Sequence, residues 1–134
     1  MIRIETIVNA PIDKVWNAWT KPEHITKWSF ASDDRHCPRA ENEVRKNGKF
    51  SSTMAAKDGS FSFDFGGTHT DVEDLKFIES VMGDGRKMKV TFIPYGNAIK
   101  VIEEFEPEST NPVDFQKAGW QAILDNFKKH AESI

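Results

Sequence analysis

A chain of 134 residues, 38% of them hydrophobic, is large enough to bury a core without covalent staples, and a single cysteine, Cys37, excludes an internal disulfide. The net charge is −3, with Lys and Arg spread among Asp and Glu, so the basic stripe of a nucleic-acid surface is missing. No signal peptide and no apolar run of spanning length is read, which makes a cytoplasmic protein without membrane insertion the expectation.

Ile2, Ile4, Thr6 and Val8 alternate with Arg3 and Glu5, as a half-buried strand requires. Ile12, Val15, Trp16 and Trp19 then fall at helical spacing on one face, and Asn9-Ala10-Pro11 supplies a start with proline in the first turn. Thr20-Lys21-Pro22-Glu23 reads as a capping box for a second helix that carries Ile25 and Trp28 on to Phe30. So much rigid aromatic surface must cover something, either a solid core or the mouth of a cavity. Residues 31–46 are polar, with a short strand expected around His36–Ala40.

From Asn47-Gly48 the pattern becomes a meander of strands. Lys49–Ala56 is one strand, turned by Lys57-Asp58-Gly59. Phe61, Phe63 and Phe65 alternate with Ser62 and Asp64, which puts three rings on one face. Gly66-Gly67 reads as a bend or bulge, and residues 68–82 as two further strands broken near Glu73-Asp74. After Gly83-Asp84-Gly85, Met88, Val90 and Phe92 share a face of Lys87–Pro94. Beyond Tyr95-Gly96-Asn97, Ile99, Val101 and Phe105 share a face of Ala98–Glu106.

The last segment changes period. Asn111 caps and Pro112 opens a helix over about 112–132, in which Val113, Trp120, Ile123, Leu124, Phe127 and Ala131 form an apolar stripe. Such a helix is about 30 Å long and spans a small sheet. Gly119 in its middle points to close approach of another backbone or to room beside the Trp120 ring. Strand, two short helices, meander and long helix together predict an α+β domain over residues 1–134, a curved antiparallel sheet wrapped around the last helix.

These residues match a known pattern from end to end. The marks are Ala10-Pro11 with Val15-Trp16, Pro22-Glu23 with Trp28, and Glu43-Val44-Arg45 with Gly48-Lys49-Phe50. They continue with Phe63, Gly66-Gly67 and His69-Thr70-Asp71-Val72, then Asp84-Gly85-Arg86 with Val90 and Phe92, and finally Gly119-Trp120 with Leu124. In these the chain resembles the activator of heat-shock-90-ATPase-like family of the START/SRPBCC superfamily, whose fold is the helix-grip. The resemblance implies a hydrophobic cavity between helix and sheet, of the kind that holds lipids, sterols, polyketides or other aromatic molecules elsewhere in the superfamily. This chain departs from the pattern at Asn47, where glycine is usual, and at His69 and Glu79, where aromatic residues are common. Against that family pattern, these changes imply a more polar cavity.

The chemistry of the remaining residues is sparse. His24, His36, His69, His130 and Cys37 show no usual metal-ligand spacing, so neither a metal nor a cofactor is expected, and Cys37 reads as an apolar filler. No motif supports a nucleophile. Glu103 falls between Val101 and Phe105 on the apolar face of its strand. A twist or bulge that exposes it is the simpler reading. Held inside, it would have a raised pKa and could serve as proton donor, ligand acceptor or ion-pair partner.

The expected function is therefore binding of a hydrophobic or aromatic small molecule by a monomer. The expected lining is Trp120, Ile123, Phe63, Phe65, Phe92 and a Trp28–Phe30 lip, with His69 and Glu103 as polar groups. Two alternatives belong to other classes. One is a chaperone-binding module, which the family resemblance implies. The other is a cyclase or hydrolase using Glu103 and His69 for proton transfer.

Overall fold

Seven strands form one antiparallel sheet in the order β1-β7-β6-β5-β4-β3-β2 in the computed structural model, which describes residues 1–134. The strands are β1 (Ile2–Val8), β2 (Arg35–Asn42), β3 (Lys49–Ala56), β4 (Ser62–Glu73), β5 (Phe77–Met82), β6 (Lys87–Tyr95) and β7 (Ala98–Phe105). Helices α1 (Ile12–Thr20) and α2 (Pro22–Ile25) separate β1 from β2, and α3 (Val113–Ser133) closes the chain. This is the helix-grip arrangement: a curled sheet holding one long helix.

The sheet follows the meander that the turn residues announce, with one change. Gly66 and Gly67 make no break, and β4 runs through them as a single strand paired to β3 and β5. A Cβ on Gly66 would lie 2.3 Å from the carbonyl oxygen of Phe50, and one on Gly67 would lie 2.1 Å from that of Val81. The glycines therefore let three coiled strands approach more closely than side chains allow. The irregularity falls further on, between His69 and Asp71, and a second one in β2 lies between His36 and Arg39. β2 is longer than the short strand expected there.

Two helix readings are also revised. Thr20 does not cap α2, because it still belongs to the last turn of α1, where its hydroxyl donates to the carbonyl of Trp16 at 2.8 Å. With no side-chain cap, α2 is one turn long and stops at Ile25. Trp28 lies beyond it and is fixed by its indole N–H, which donates to the Ala18 carbonyl at 2.8 Å. At α3 the cap position is Pro112 rather than Asn111. Val113 is 51% exposed and lies outside the buried stripe.

The core joins Ile2, Ile4 and Val8 of β1, Val101 and Phe105 of β7, and Leu124, Phe127 and Ala131 of α3. α3 packs on β1 and α1. The Gln121 amide and the Lys128 ammonium donate to carbonyls of Glu5 and Ile7, and Glu132 accepts from the Asn9 N–H at 2.8 Å. Docked on this side of the sheet, the helix leaves β3–β6 curling away from it.

Candidate functional site

The space left between α3 and the curled strands is a cavity of about 530 Å³, and 17 of its 32 lining residues are hydrophobic. Aromatic rings supplied by separate elements make its walls. Trp19 of α1 packs against Trp28 at 4.9 Å, and both set their rings edge-on to Phe127. Trp120 of α3 stacks flat on Phe105 at 3.8 Å and meets the edge of Phe65 at 5.7 Å. Asn126 of α3 donates to the carbonyls of Trp28 and Phe30, which ties the lip segment to the helix.

Eight of the nine expected site residues line this one space: Trp28, Phe30, Phe63, Phe65, His69, Glu103, Trp120 and Ile123. Phe92 does not. It shares the inward face of β6, but Trp16 and Trp19 cover it edge-on at 5.3 and 6.0 Å, and it is part of the solid core. Glu79 is likewise away from the cavity, pairing with Lys89 at 3.3 Å on the other face of the sheet. Asn47 is not in the lining either, so the extra polarity foreseen from the three departures comes from His69 alone. Gly119 lines the cavity and meets no backbone, since a Cβ there would have nothing within 4 Å.

His69 is held in a chain of four groups. Asn42 donates its amide N–H to the Thr20 carbonyl at 2.9 Å, which turns its side-chain oxygen toward His69 Nε2 at 2.7 Å. Nε2 therefore carries the proton, and Nδ1 accepts from the Ser80 hydroxyl at 2.8 Å. Phe50 stacks on the ring at 4.7 Å. Burial pushes the His69 pKa down, in keeping with a neutral ring. Both nitrogens are engaged, so His69 has no lone pair to offer as a base. Asn42, Ser80 and Phe50 were not picked out as site residues in the sequence, although Phe50 belongs to one of the family marks. They come from different strands, and no local pattern joins them.

Glu103 is 5% exposed, so the reading that a twist turns it outward is overturned. The pairing of β7 with β1 and β6 runs without a break past this residue. Glu103 stands in a cross-sheet row with Ile4, Val90, Ile78 and Val72, every other member aliphatic. Burial among these neighbours pushes its pKa up to about 8. No protein group bonds or pairs with its carboxyl, which reaches the cavity space.

The other polar groups of the lining are bound into the fold or lie toward its edge. Gln116 accepts from the Glu108 N–H and donates to the carbonyls of Glu108 and Asn111, fixing the approach to α3. Arg35 sets its guanidinium over Phe61 at 4.2 Å. Phe63 and Phe115 stand well exposed at the opening. No three His, Cys, Asp or Glu side chains converge as a metal site would need. His24 and His130 do meet, Nδ1 to Nε2 at 2.9 Å, where α2 faces α3.

A model of the family described as Activator of Hsp90 ATPase homolog 1-like protein matches residues 9–132. Among solved structures, the AHSA1-like protein of Aeromonas hydrophila is 40% identical with a TM-score of 0.89, over 98% of this chain and 93% of that one. A protein from Cytophaga hutchinsonii is 48% identical with a TM-score of 0.84, over 98% and 92%. A Nitrosomonas europaea protein, 14% identical over 98% and 94%, still gives 0.83, a likeness of fold alone. No curated protein matches the chain.

Proposed function

The chain belongs to the activator of Hsp90 ATPase homologue 1-like family, and from that premise we propose that it binds an apolar or aromatic small molecule between α3 and the curled sheet. The cavity carries this reading. Interiors are normally packed to the density of organic crystals, with few voids larger than a water molecule. A space of about 530 Å³ falls instead in the range of small-molecule sites. Its walls are rigid rings and its polar groups are few, so affinity comes from apolar burial, at about 25 cal/mol per Å² before ordering costs. Lipid-like, sterol and polyketide-like compounds fit these terms.

Carriage or sensing suits the site better than catalysis. Proton transfer by a pair of groups needs a free base as well as an acid. With His69 engaged at both nitrogens, Glu103 has no such partner.

Titration of flavonoid-like, sterol and fatty-acid compounds, followed by tryptophan fluorescence and amide chemical shifts, tests the proposal. The expected result is quenching, with shifts centred on Trp28, Phe65, Trp120 and Ile123. Shifts confined to the outer surface would remove the carrier reading and put docking to a chaperone, which the family description names, in its place.

A further inference from the structure

The Glu103 carboxyl lies on the cavity floor without a partner, and a buried carboxylate is costly unless something pairs with it. Its surroundings supply no cation. β1 presents Ile4 beside it and β6 presents Val90, while α3 contributes Gln116, Gly119, Trp120 and Ile123 to the lining. The other titratable lining groups are engaged or stand on other elements. His69 has both nitrogens bonded, Arg86 is paired with Asp84 at 2.7 Å, and Glu108 accepts from the Asn111 N–H. Arg35, whose buried Nε lacks a hydrogen-bond partner and faces Asp34 at 3.6 Å, belongs with His36 and Glu41 to β2, at the opposite edge of the sheet from β1 and β7. Two residues along β7 from Glu103, Phe105 carries the stacked indole of Trp120, whose ring faces attract positive charge.

Resting on the ligand-binding reading above, we infer that the cavity selects apolar or aromatic molecules bearing one basic nitrogen, with Glu103 as the carboxylate that receives it. An ammonium group supplies the missing partner in a charge-assisted hydrogen bond, about twice as strong as a neutral one. A hydroxyl gains only the neutral bond. An anionic head, such as that of a fatty acid, meets a carboxyl at this position, and the cations of the lining, Arg35 and Arg86, are set over Phe61 and paired with Asp84. The proton balance is definite. Glu103 holds its proton to about pH 8, so an entering ammonium displaces that proton to solvent. Amine affinity should therefore rise with pH up to about that value.

Three probes with one ring system isolate the head group: naphthylmethylamine, naphthylmethanol and naphthoate, titrated into the full chain and read by amide shifts. At pH 8 the amine should bind at least about tenfold more tightly than the alcohol, with naphthoate weakest. Below that pH its affinity should fall by up to about tenfold per unit, while that of the alcohol stays level. In Glu103→Gln both the amine advantage and the pH slope should vanish, with alcohol binding retained. Equal affinities in the wild type, preference for the alcohol, or a slope that survives in Glu103→Gln would overturn the inference and leave the ligand-binding reading standing. Binding by none of the three would remove both. Should the variant fail to fold, the wild-type ranking and slope decide alone.

Discussion

A carboxyl group set among Ile4, Val90, Val101 and Phe105 works against folding whenever it ionises. Glutamate ionises near 4.5 in an unfolded chain, whereas Glu103 keeps its proton to about 8 in the fold. Between these values the folded state binds more protons, so stability falls as pH rises and the loss is complete above about 8. At about 1.4 kcal/mol per pKa unit, the loss is on the order of 3–5 kcal/mol. Urea denaturation from pH 5 to 8 should show the wild type declining relative to Glu103→Gln; parallel profiles would mean an ordinary carboxyl. His69 and His130 act in the opposite direction. Burial depresses both pKa values, and the charges of His24 and Lys27 depress that of His130 further. Their contribution is present above 6.5 and is lost as pH falls through the folded values, so Glu103→Gln should leave the acid-side decline in place. Strand alternation had put Glu103 on the inward face. Only the unbroken register with β1 and β6 decides that nothing turns it out, and register is not written in one strand's sequence.

The stripe of α3 was legible because a period of 3.6 over six turns is hard to mistake, and Leu124, Phe127 and Ala131 are fully buried. Leu124→Ala should cost about 2–5 kcal/mol and Phe127→Ala about 3–5 kcal/mol by chemical denaturation. A loss under about 0.5 kcal/mol is the mark of an exposed position and would contradict the packing. Gly119 makes a sharper test, because its place in the stripe left two reasons open, backbone approach or room beside Trp120, and the structure supports the room. With open space at its Cβ, Gly119→Ala should stabilise the protein by up to about 1 kcal/mol through helix propensity. Gly119→Leu should fold as well but project into the cavity, weakening ligand binding while the melting temperature is kept. A destabilised Gly119→Ala would show that the helix sits closer to the sheet. The β4 glycines were misread for a related reason. A Gly-Gly pair signals missing side chains equally at a bulge and at a close crossing of coiled strands, and only the positions of Phe50 and Val81 distinguish the two.

Why a cavity survives at all follows from where α3 docks. Its hydrogen bonds run to β1, to His24 of α2 and to the segments before α1 and after α2, and its ring contacts to Trp19, Trp28, Phe65 and Phe105, so the far strands curl past it without closing. The order of elements and the aromatic walls could be read from the sequence, but the volume could not, since it depends on docking angle and sheet coil. Phe92 shows the limit. Its face was right, and its cover came from Trp16 and Trp19, on a helix whose placement no strand pattern states. The enclosure also fixes how binding responds to salt. With a net charge of only −3, and with Arg35 set over Phe61, Arg86 paired with Asp84 and Glu108 bonded to the Asn111 N–H, long-range attraction contributes little to holding a ligand in the interior. Screening acts over about 8 Å at physiological ionic strength and reaches buried contacts weakly, the Glu103 pair included. Affinity for a cavity ligand should accordingly change by less than about threefold between low and half-molar sodium chloride, measured at constant pH. A loss of tenfold or more would mean that exposed charges at the opening hold the ligand, and that the interior is not the site.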